Sequence, residues 1–281
     1  MSENTKIMAG KCGLVTGCAN DRSIAFGIAK QLAAQGAELA FTYQTDRLAK
    51  RVVPLAEQLG SKIVLPMDVG SSDSIDAAFA EIDKQWDGID FLVHSIAFSD
   101  RDELNGQYLD TSRDNFAATM DVSVYSLIAL AQRAAPRMKE GGSIITLSYL
   151  GAERVMTNYN VMGVAKAALE ASVRYLAVDL GPRGIRVNAI SAGPVRTLAS
   201  AGISNFNVML RWSEINSPLR RNVSLDEIGN TAMFLLSDMG TGITGETVHV
   251  DSGYHAVGMA ALEETEALGE LLDSIKSNKA V

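Results

Sequence analysis

Short, nearly continuous apolar runs alternate with amphipathic stretches along most of this chain. The runs predict strands at 12–17 (CGLVTG), 38–43 (ELAFTY), 63–68 (IVLPMD), 91–97 (FLVHSIA), 142–149 (GSIITLSY), 185–193 (IRVNAISAG) and 246–253 (ETVHVDSG). Between them, apolar positions recur at helical spacing near 22–35, 46–59, 72–86, 111–138, 158–180 and 224–237. Strand and helix alternating in this order predict an α/β fold, a doubly wound parallel sheet of seven strands with helices on both faces. Strands covered on both faces read as unbroken apolar runs, as these do. No Pro/Gly/Ser linker and no repeat divides the chain, so one domain over 1–281 is expected. The alternation lapses between about 194 and 223, and an insertion of that length is commonly functional. From about residue 263 the chain turns polar with a weak helical pattern and is expected to be partly disordered.

Composition narrows the function. Of 281 residues, 47% are hydrophobic and 21% charged, with six prolines, ample for a core and unlike a disordered chain. A net charge of −8 argues against nucleic acid as a partner. No run of about 18 apolar residues predicts a membrane span, and no charged-then-apolar leader opens the chain, so a cytoplasmic protein is expected. The two cysteines, Cys12 and Cys18, then read as reduced thiols. No His/Cys/Asp/Glu spacing suggests a metal site.

In open parallel sheets ligands sit outside the carboxyl ends of the strands, and several predicted strands end in informative residues. The first runs into TGCANDRSIAFG. Gly17 permits a tight turn and close backbone approach to a pyrophosphate, and the helix opening near Ser23 and Ile24 offers free N–H groups and its positive end. The pattern departs from GxGxxG, with Gly17 and Gly27 ten residues apart. Gln44, after the second strand, is a candidate for the adenosine side, with NADH and NADPH both open. Asp68, after the third, reads either as an acceptor for an adenine amino group or as a helix N-cap. The fourth strand ends His94-Ser95-Ile96-Ala97; His94 reads as a structural histidine in preference to a general base. After the sixth, backbone at Val195, Arg196, Thr197 and Leu198 can pair with a nicotinamide carboxamide, and Thr197 can reach a pyrophosphate.

The remaining candidates lie in SYLGAERVMTNYNVMGVAK, residues 148–166. The segment from Asn158 reads as the start of a helix. Seven residues at about 100° each turn through roughly 700°, about 20° short of two turns, so Tyr159 and Lys166 share a face about 10 Å apart along the axis. A nearby cation favours ionisation of the phenol. Such a pair suits the binding and polarisation of an oxygen, although taken alone it reads first as an aromatic core contact and a solvated charge.

With these motifs in register, the sequence resembles the short-chain dehydrogenase/reductase superfamily, with its Rossmann fold. Within it the chain is similar to the bacterial NADH-dependent enoyl-acyl-carrier-protein reductases of type I, over roughly residues 6–260. The resemblance rests on TGCANDRSIAFGIA, FTYQTDRL, LVHSIAF, SYLGAERVMTNYNVMGVAKAALEA and RVNAISAGPVRTLA. Most members of the superfamily carry Tyr-x3-Lys; here Tyr159-x6-Lys166 follows Tyr149, the arrangement of the enoyl reductases.

The resemblance implies NADH-dependent reduction of the trans-2 double bond of enoyl thioesters, the last reductive step of fatty-acid elongation. It implies Tyr159 on the thioester oxygen, Lys166 on the nicotinamide ribose, and Tyr149 lining the substrate pocket. It places Gly17, Ser23, Ile24, Gln44, Asp68, Val69, Ile96, Lys166, Val195, Arg196, Thr197, Leu198 and Ala199 at the cofactor, with NADPH still open, and Ser99 at the substrate. It implies acyl carrier protein as the partner and a homotetramer packed through the helices at 111–138 and 158–180. In relatives the helix in the 194–223 insertion often carries several basic residues that meet the acidic carrier. Here GISNFNVMLRWSE holds only Arg211, with Arg220 and Arg221 downstream as substitutes or as solvated charges. Phe206, Met209, Leu210 and Trp212 read as an apolar lid or as a core-packing helix. The alternatives to the enoyl reductase are a carbonyl reductase of the same superfamily, which Tyr-x6-Lys disfavours, and a dinucleotide-binding regulator without catalysis.

Overall fold

A computed structural model describes residues 6–198, 200 and 206–278. Seven strands form one sheet: β1 (Cys12–Val15), β2 (Glu38–Tyr43), β3 (Ile63–Pro66), β4 (Phe91–His94), β5 (Gly142–Ser148), β6 (Ile185–Ala192) and β7 (Thr247–Val250). Their order is β3-β2-β1-β4-β5-β6-β7, and every neighbouring pair is parallel. The chain winds outward from β1 to β3, then returns to lay β4 on the other side of β1. That reversal opens a crevice at the carboxyl ends of β1 and β4.

The helices α1 (Ile24–Ala34), α2 (Asp46–Gln58) and α8 (Leu225–Leu236) cover one face. The other carries α3 (Ser72–Ile82), α4 (Arg113–Met120), α5 (Ser126–Ala134) and α6 (Asn160–Leu180). Successive residues of a strand point to opposite faces. Leu14 and Leu92 accordingly join the core with Phe79, Leu130 and Leu169, whereas Val15 and Val93 join the core with Ile28, Val52 and Ile228. Local chemistry sets the helix starts: Thr45, Ser71, Ser112 and Ser224 each accept a first-turn backbone N–H.

The sheet and its order of helices match the sequence reading, with differences at the edges. The strands expected at 12–17, 91–97 and 246–253 end at Val15, His94 and Val250. The helix expected over 111–138 is interrupted by a π-helical turn, Asp121–Tyr125, between α4 and α5. The insertion after β6 holds a further helix, α7 (Phe206–Asn216). The polar tail, expected to be partly disordered, instead carries α9 (Thr265–Asn278), which packs on α7 and buries Leu271. No helix among the described residues is long and apolar enough to cross a membrane.

His94 shows what a strand end does inside this core. It is fully buried, with Nδ1 2.7 Å from the Thr146 hydroxyl and Nε2 2.8 Å from that of Ser126. Burial, then the charge of Lys166, lowers its pKa to about 3. It is a satisfied neutral histidine, as its strand-end position suggested. Between about pH 6.5 and 3 the unfolded chain takes up a proton that the native one refuses. Stability contributed by this site is therefore full above 6.5 and falls as the pH drops. Unfolding free energies from urea titrations are expected to fall from pH 7 to pH 5, by up to ~1.4 kcal/mol per pH unit for one group. The fall should be shallower in His94→Gln, and an unchanged slope would refute this assignment.

Candidate active site

The crevice is built from residues that leave the strands. Gly17 follows β1 at φ +81°, where an added Cβ would lie 1.8 Å from the Ser95 carbonyl oxygen. No other residue fits, so the turn after β1 and the turn after β4 touch through bare backbone. Ser23 precedes α1, and its hydroxyl accepts from the N–H groups of Ala19 and Asn20, both at 3.0 Å. It thereby shapes the loop that presents Ile24 and the positive end of α1. Gly27 sits elsewhere: its missing Cβ makes room for Leu225 of α8, and Gly229 returns the fit against the Gly27 carbonyl. It is a helix-packing glycine and not part of the turn.

Gln44 Nε2 donates to Asp68 Oδ1 at 3.3 Å, joining the ends of β2 and β3 at the crevice rim. Asp68 Oδ1 also accepts from the Gly70 N–H at 3.0 Å. The N-cap of α3 is Ser71, so the capping reading of Asp68 does not hold. Val69 and Ile96 are half-buried against the core. After β6, Gly193 donates to the Val250 carbonyl and lies so close to Asp251 that a Cβ would sit 2.9 Å from its Cα. Val195 is half-buried and Leu198 exposed; the Arg196 guanidinium donates to Asn207 at 2.6 Å, and Thr197 Oγ1 accepts from the Ser200 N–H at 3.0 Å. Ala199 lies outside the described residues.

Tyr159 is buried and stands as the N-cap of α6, not inside the helix. Asn158 at φ +61° and Asn160 at φ +36° flank it, both in the left-handed region that asparagine tolerates better than most residues. Asn160 Nδ2 donates to the carbonyls of Leu104 and Gly106 at 3.2 and 3.3 Å. The kinked Asn-Tyr-Asn turn thus fixes the direction of the ring. The Tyr149 and Tyr159 rings meet edge to face, 5.1 Å between centroids at 73°. Gly151 had drawn no notice in the sequence, yet a Cβ there would lie 2.4 Å from the Tyr159 ring.

Lys166 is buried, and its Nζ donates to the Leu147 carbonyl at 2.7 Å. Burial lowers its pKa to about 8 against the opposing pull of Glu170. Glu170, one helical turn on, is itself buried, raised by that burial, and bonded to the Ser148 hydroxyl. The Tyr159 phenol is pushed well above its ordinary value, by burial and then by Tyr149. The ionisation expected from a neighbouring cation therefore does not occur: burial and Tyr149 both act to raise the phenol, which is a neutral hydrogen-bond donor. Tyr149 is raised likewise, by burial, then Tyr254 and Asp251.

Ser99 follows β4, donating to Asn115 Oδ1 at 3.3 Å and accepting from Thr119 at 3.0 Å. Across the crevice, Trp212 Nε1 of α7 donates to the Tyr254 hydroxyl at 2.9 Å. Leu210 is buried, while Phe206, Met209 and Trp212 are half-buried. A surface cavity of about 440 Å³ opens between the segment after β6 and α7, lined by Val195, Arg196, Asn207 and Glu214 among others. It omits Tyr149, Tyr159 and Lys166, so the titratable groups and not this hollow locate the chemistry. Among the described residues, no group of three or more His, Cys, Asp or Glu side chains is placed to hold a metal ion.

The glycine turn at the switch point and a buried Tyr–Lys pair beyond β5 define a short-chain dehydrogenase/reductase. Comparison with known proteins narrows this. The family model described as enoyl-(acyl carrier protein) reductase matches residues 17–255, and the chain belongs to that family. It is 62% identical over 263 residues to enoyl-acyl-carrier-protein reductase (NADH) 1 of Rhizobium meliloti, covering 94% of this chain and 97% of that one. The reductase of Anaplasma phagocytophilum, solved in complex with NAD, superposes with a TM-score of 0.89 at 58% identity, over 92% of this chain and 99% of the other. That of Bacillus cereus, solved with NADP+ and indole naphthyridinone, gives 0.89 at 52% identity, over 90% and 100%.

The turn at Gly17 yields a direct test. Gly17→Ala forces a Cβ onto the Ser95 carbonyl in a conformation alanine resists, so the β1 and β4 turns must separate. NADH affinity is expected to fall about tenfold or more, at ~1–2 kcal/mol of local strain. Unchanged affinity by fluorescence titration would show that this turn is not part of the cofactor site.

Proposed function

We infer that this protein is an NADH-dependent enoyl-acyl-carrier-protein reductase acting on the trans-2 double bond of enoyl thioesters. The observation that carries the reading is the placement of a neutral Tyr159 donor and a buried Lys166 beside the nucleotide crevice, with Tyr149 braced against Tyr159. Family membership and the names of the relatives support it. The residues present fit a dinucleotide. Gly17 leaves bare backbone for a pyrophosphate, and the start of α1 at Ser23 and Ile24 offers N–H groups. Gln44, Asp68, Val69 and Ile96 would border the adenosine side. The segment Val195 to Ala199 would approach the nicotinamide. No residue after β2 compels a choice against a 2′-phosphate, and NADPH stays admissible.

NADH bound there would supply a hydride to the β-carbon, and negative charge would gather on the thioester oxygen until a proton reaches the α-carbon and completes the reduction. Tyr159 would donate a hydrogen bond to that oxygen, and the Asn158–Tyr159–Asn160 turn and the close approach of Gly151 to the ring support this role. Lys166, protonated below about pH 8, would hold the nicotinamide ribose hydroxyls and keep the local field positive. Tyr149 and Ser99 would line the acyl pocket, with α7 as its apolar lid.

We propose a single catalytic domain, a homotetramer and a cytoplasmic location. Exposed apolar residues on the helices named for assembly support the oligomer: Tyr175 and Val178 on α6 are 77% and 74% exposed, with Phe116 on α4 beside Tyr125. Loss of NADH absorbance with a crotonyl thioester but not with an acetoacetyl thioester tests the activity. Turnover of the keto substrate alone would overturn the reading in favour of a carbonyl reductase. Turnover of neither would leave a dinucleotide-binding regulator.

A further inference from the structure

Four arginines surround α7, and each already has an acceptor within the chain. Arg196 donates to Asn207 at 2.6 Å, Arg211 to Glu214 at 3.0 Å, and Arg221 to both Glu227 oxygens at 2.6 and 2.9 Å. These three partners lie 11, 3 and 6 residues away. Arg220 is different. Its guanidinium closes the end of α7 on the carbonyls of Ile215 and Ser217, then pairs with Glu263, 43 residues distant, and lies 3.8 Å from Glu264. Neither Arg220 nor Arg221 is the solvated charge that the sequence allowed.

Glu263 and Glu264 open an acidic segment that includes Glu266, Glu270 and Asp273. It lies beyond the residues 17–255 that match the family. It is seated on α7 by more than charge. Leu268, Leu271 and Ile275 recur at helical spacing along the less exposed side of α9, and the Ala261 N–H donates to Asn216 Oδ1 of α7 at 2.8 Å. An exposed ion pair such as Arg220–Glu263 is worth at most about 1 kcal/mol and exchanges readily for another carboxylate.

We propose that residues 262–278 form an intramolecular acidic strap over the carrier-protein docking face, so that an acidic acyl carrier must displace Glu263 and Glu264 from Arg220 to deliver its thioester. This rests on the carrier-linked activity inferred above. The strap supplies the same chemistry as the incoming partner, carboxylates on a helix, and it repels that partner until displaced. A carrier-free, uncharged substrate would not sense it.

The test compares KM for crotonyl-acyl carrier protein with KM for crotonyl-pantetheine. The full chain, Glu263→Gln/Glu264→Gln and a chain ending at Ala261 are measured. The double variant keeps Leu268 and Leu271 and therefore the seat of α9, so it isolates charge from folding. Its KM for the carrier substrate is expected to fall on the order of 3–10-fold, with the pantetheine KM unmoved and the difference shrinking at high salt. The shortened chain should behave alike. An unchanged carrier KM, an increase, or an equal shift for both substrates in the double variant would overturn the strap. Absence of enoyl turnover with either substrate in the full chain would overturn the activity itself, and the strap with it.

Discussion

Tyr159→Phe is expected to lower kcat about 10²–10³-fold, the usual cost of removing one preorganised donor from a developing oxyanion. NADH affinity should change little. The substitution removes only the hydroxyl from a ring that Gly151 and Tyr149 hold in place. The Asn158–Tyr159–Asn160 turn and the 5.1 Å ring contact survive it, so the fold is retained. Because the native phenol is neutral, no alkaline limb in the rate between pH 6 and 9 should trace to Tyr159. Stopped-flow hydride transfer with crotonyl thioester is the decisive measurement. A variant that keeps near-normal turnover, or loses cofactor affinity to the same degree, would remove Tyr159 from the role of donor.

Lys166→Met should act on the cofactor first. The ammonium is buried 2.7 Å from the Leu147 carbonyl, and its removal deletes that hydrogen bond and takes the nearby positive charge from Glu170. Losing a charge-assisted partner in a buried site costs ~2–5 kcal/mol, so NADH Kd is expected to rise on the order of 10²-fold or more. The pH dependence carries a sign. Desolvation places the folded pKa, about 8, below that of an unfolded lysine, so folding favours the neutral amine. Between the two values the unfolded chain binds more protons, and stability rises with pH; below about 8 the penalty for a buried ammonium is fully felt. Cofactor binding is expected to work in the opposite sense, since the proposed contact of Lys166 with the ribose hydroxyls would be strongest with the ammonium. NADH affinity of the parent chain is therefore expected to weaken as pH rises through about 8, and that slope should vanish in Lys166→Met. Persistence of the slope would assign it to another group.

Burial separates what these residues do from what their types suggest. Tyr159 and Lys166 invite a picture of a phenol ionised by a cation, yet desolvation holds the phenol protonated and draws the lysine down. His94 has the chemistry of a base but is closed off by hydroxyls 52 and 32 residues away. The two thiols follow the same rule. Burial raises Cys18 to about 12 and, with the charge of Asp90, Cys12 to about 11, so both are protonated and unreactive at neutral pH.

The sequence by itself determined the alternation of strand and helix and the parallel sheet. Each is a local periodicity, and neighbours a few residues apart are held together by covalent geometry wherever the chain later goes. It also determined the glycine turn at residue 17, since a left-handed residue after a strand announces itself. Only the tertiary structure decided that Gly27 packs α1 on α8, that Gly151 makes room for the Tyr159 ring, and that Asp68 caps no helix. It alone decided that the polar tail folds as α9 over α7 and brings Glu263 to Arg220. Those outcomes depend on close approach and desolvation between segments that lie from a few to nearly two hundred residues apart, and no local pattern encodes how near two such surfaces come.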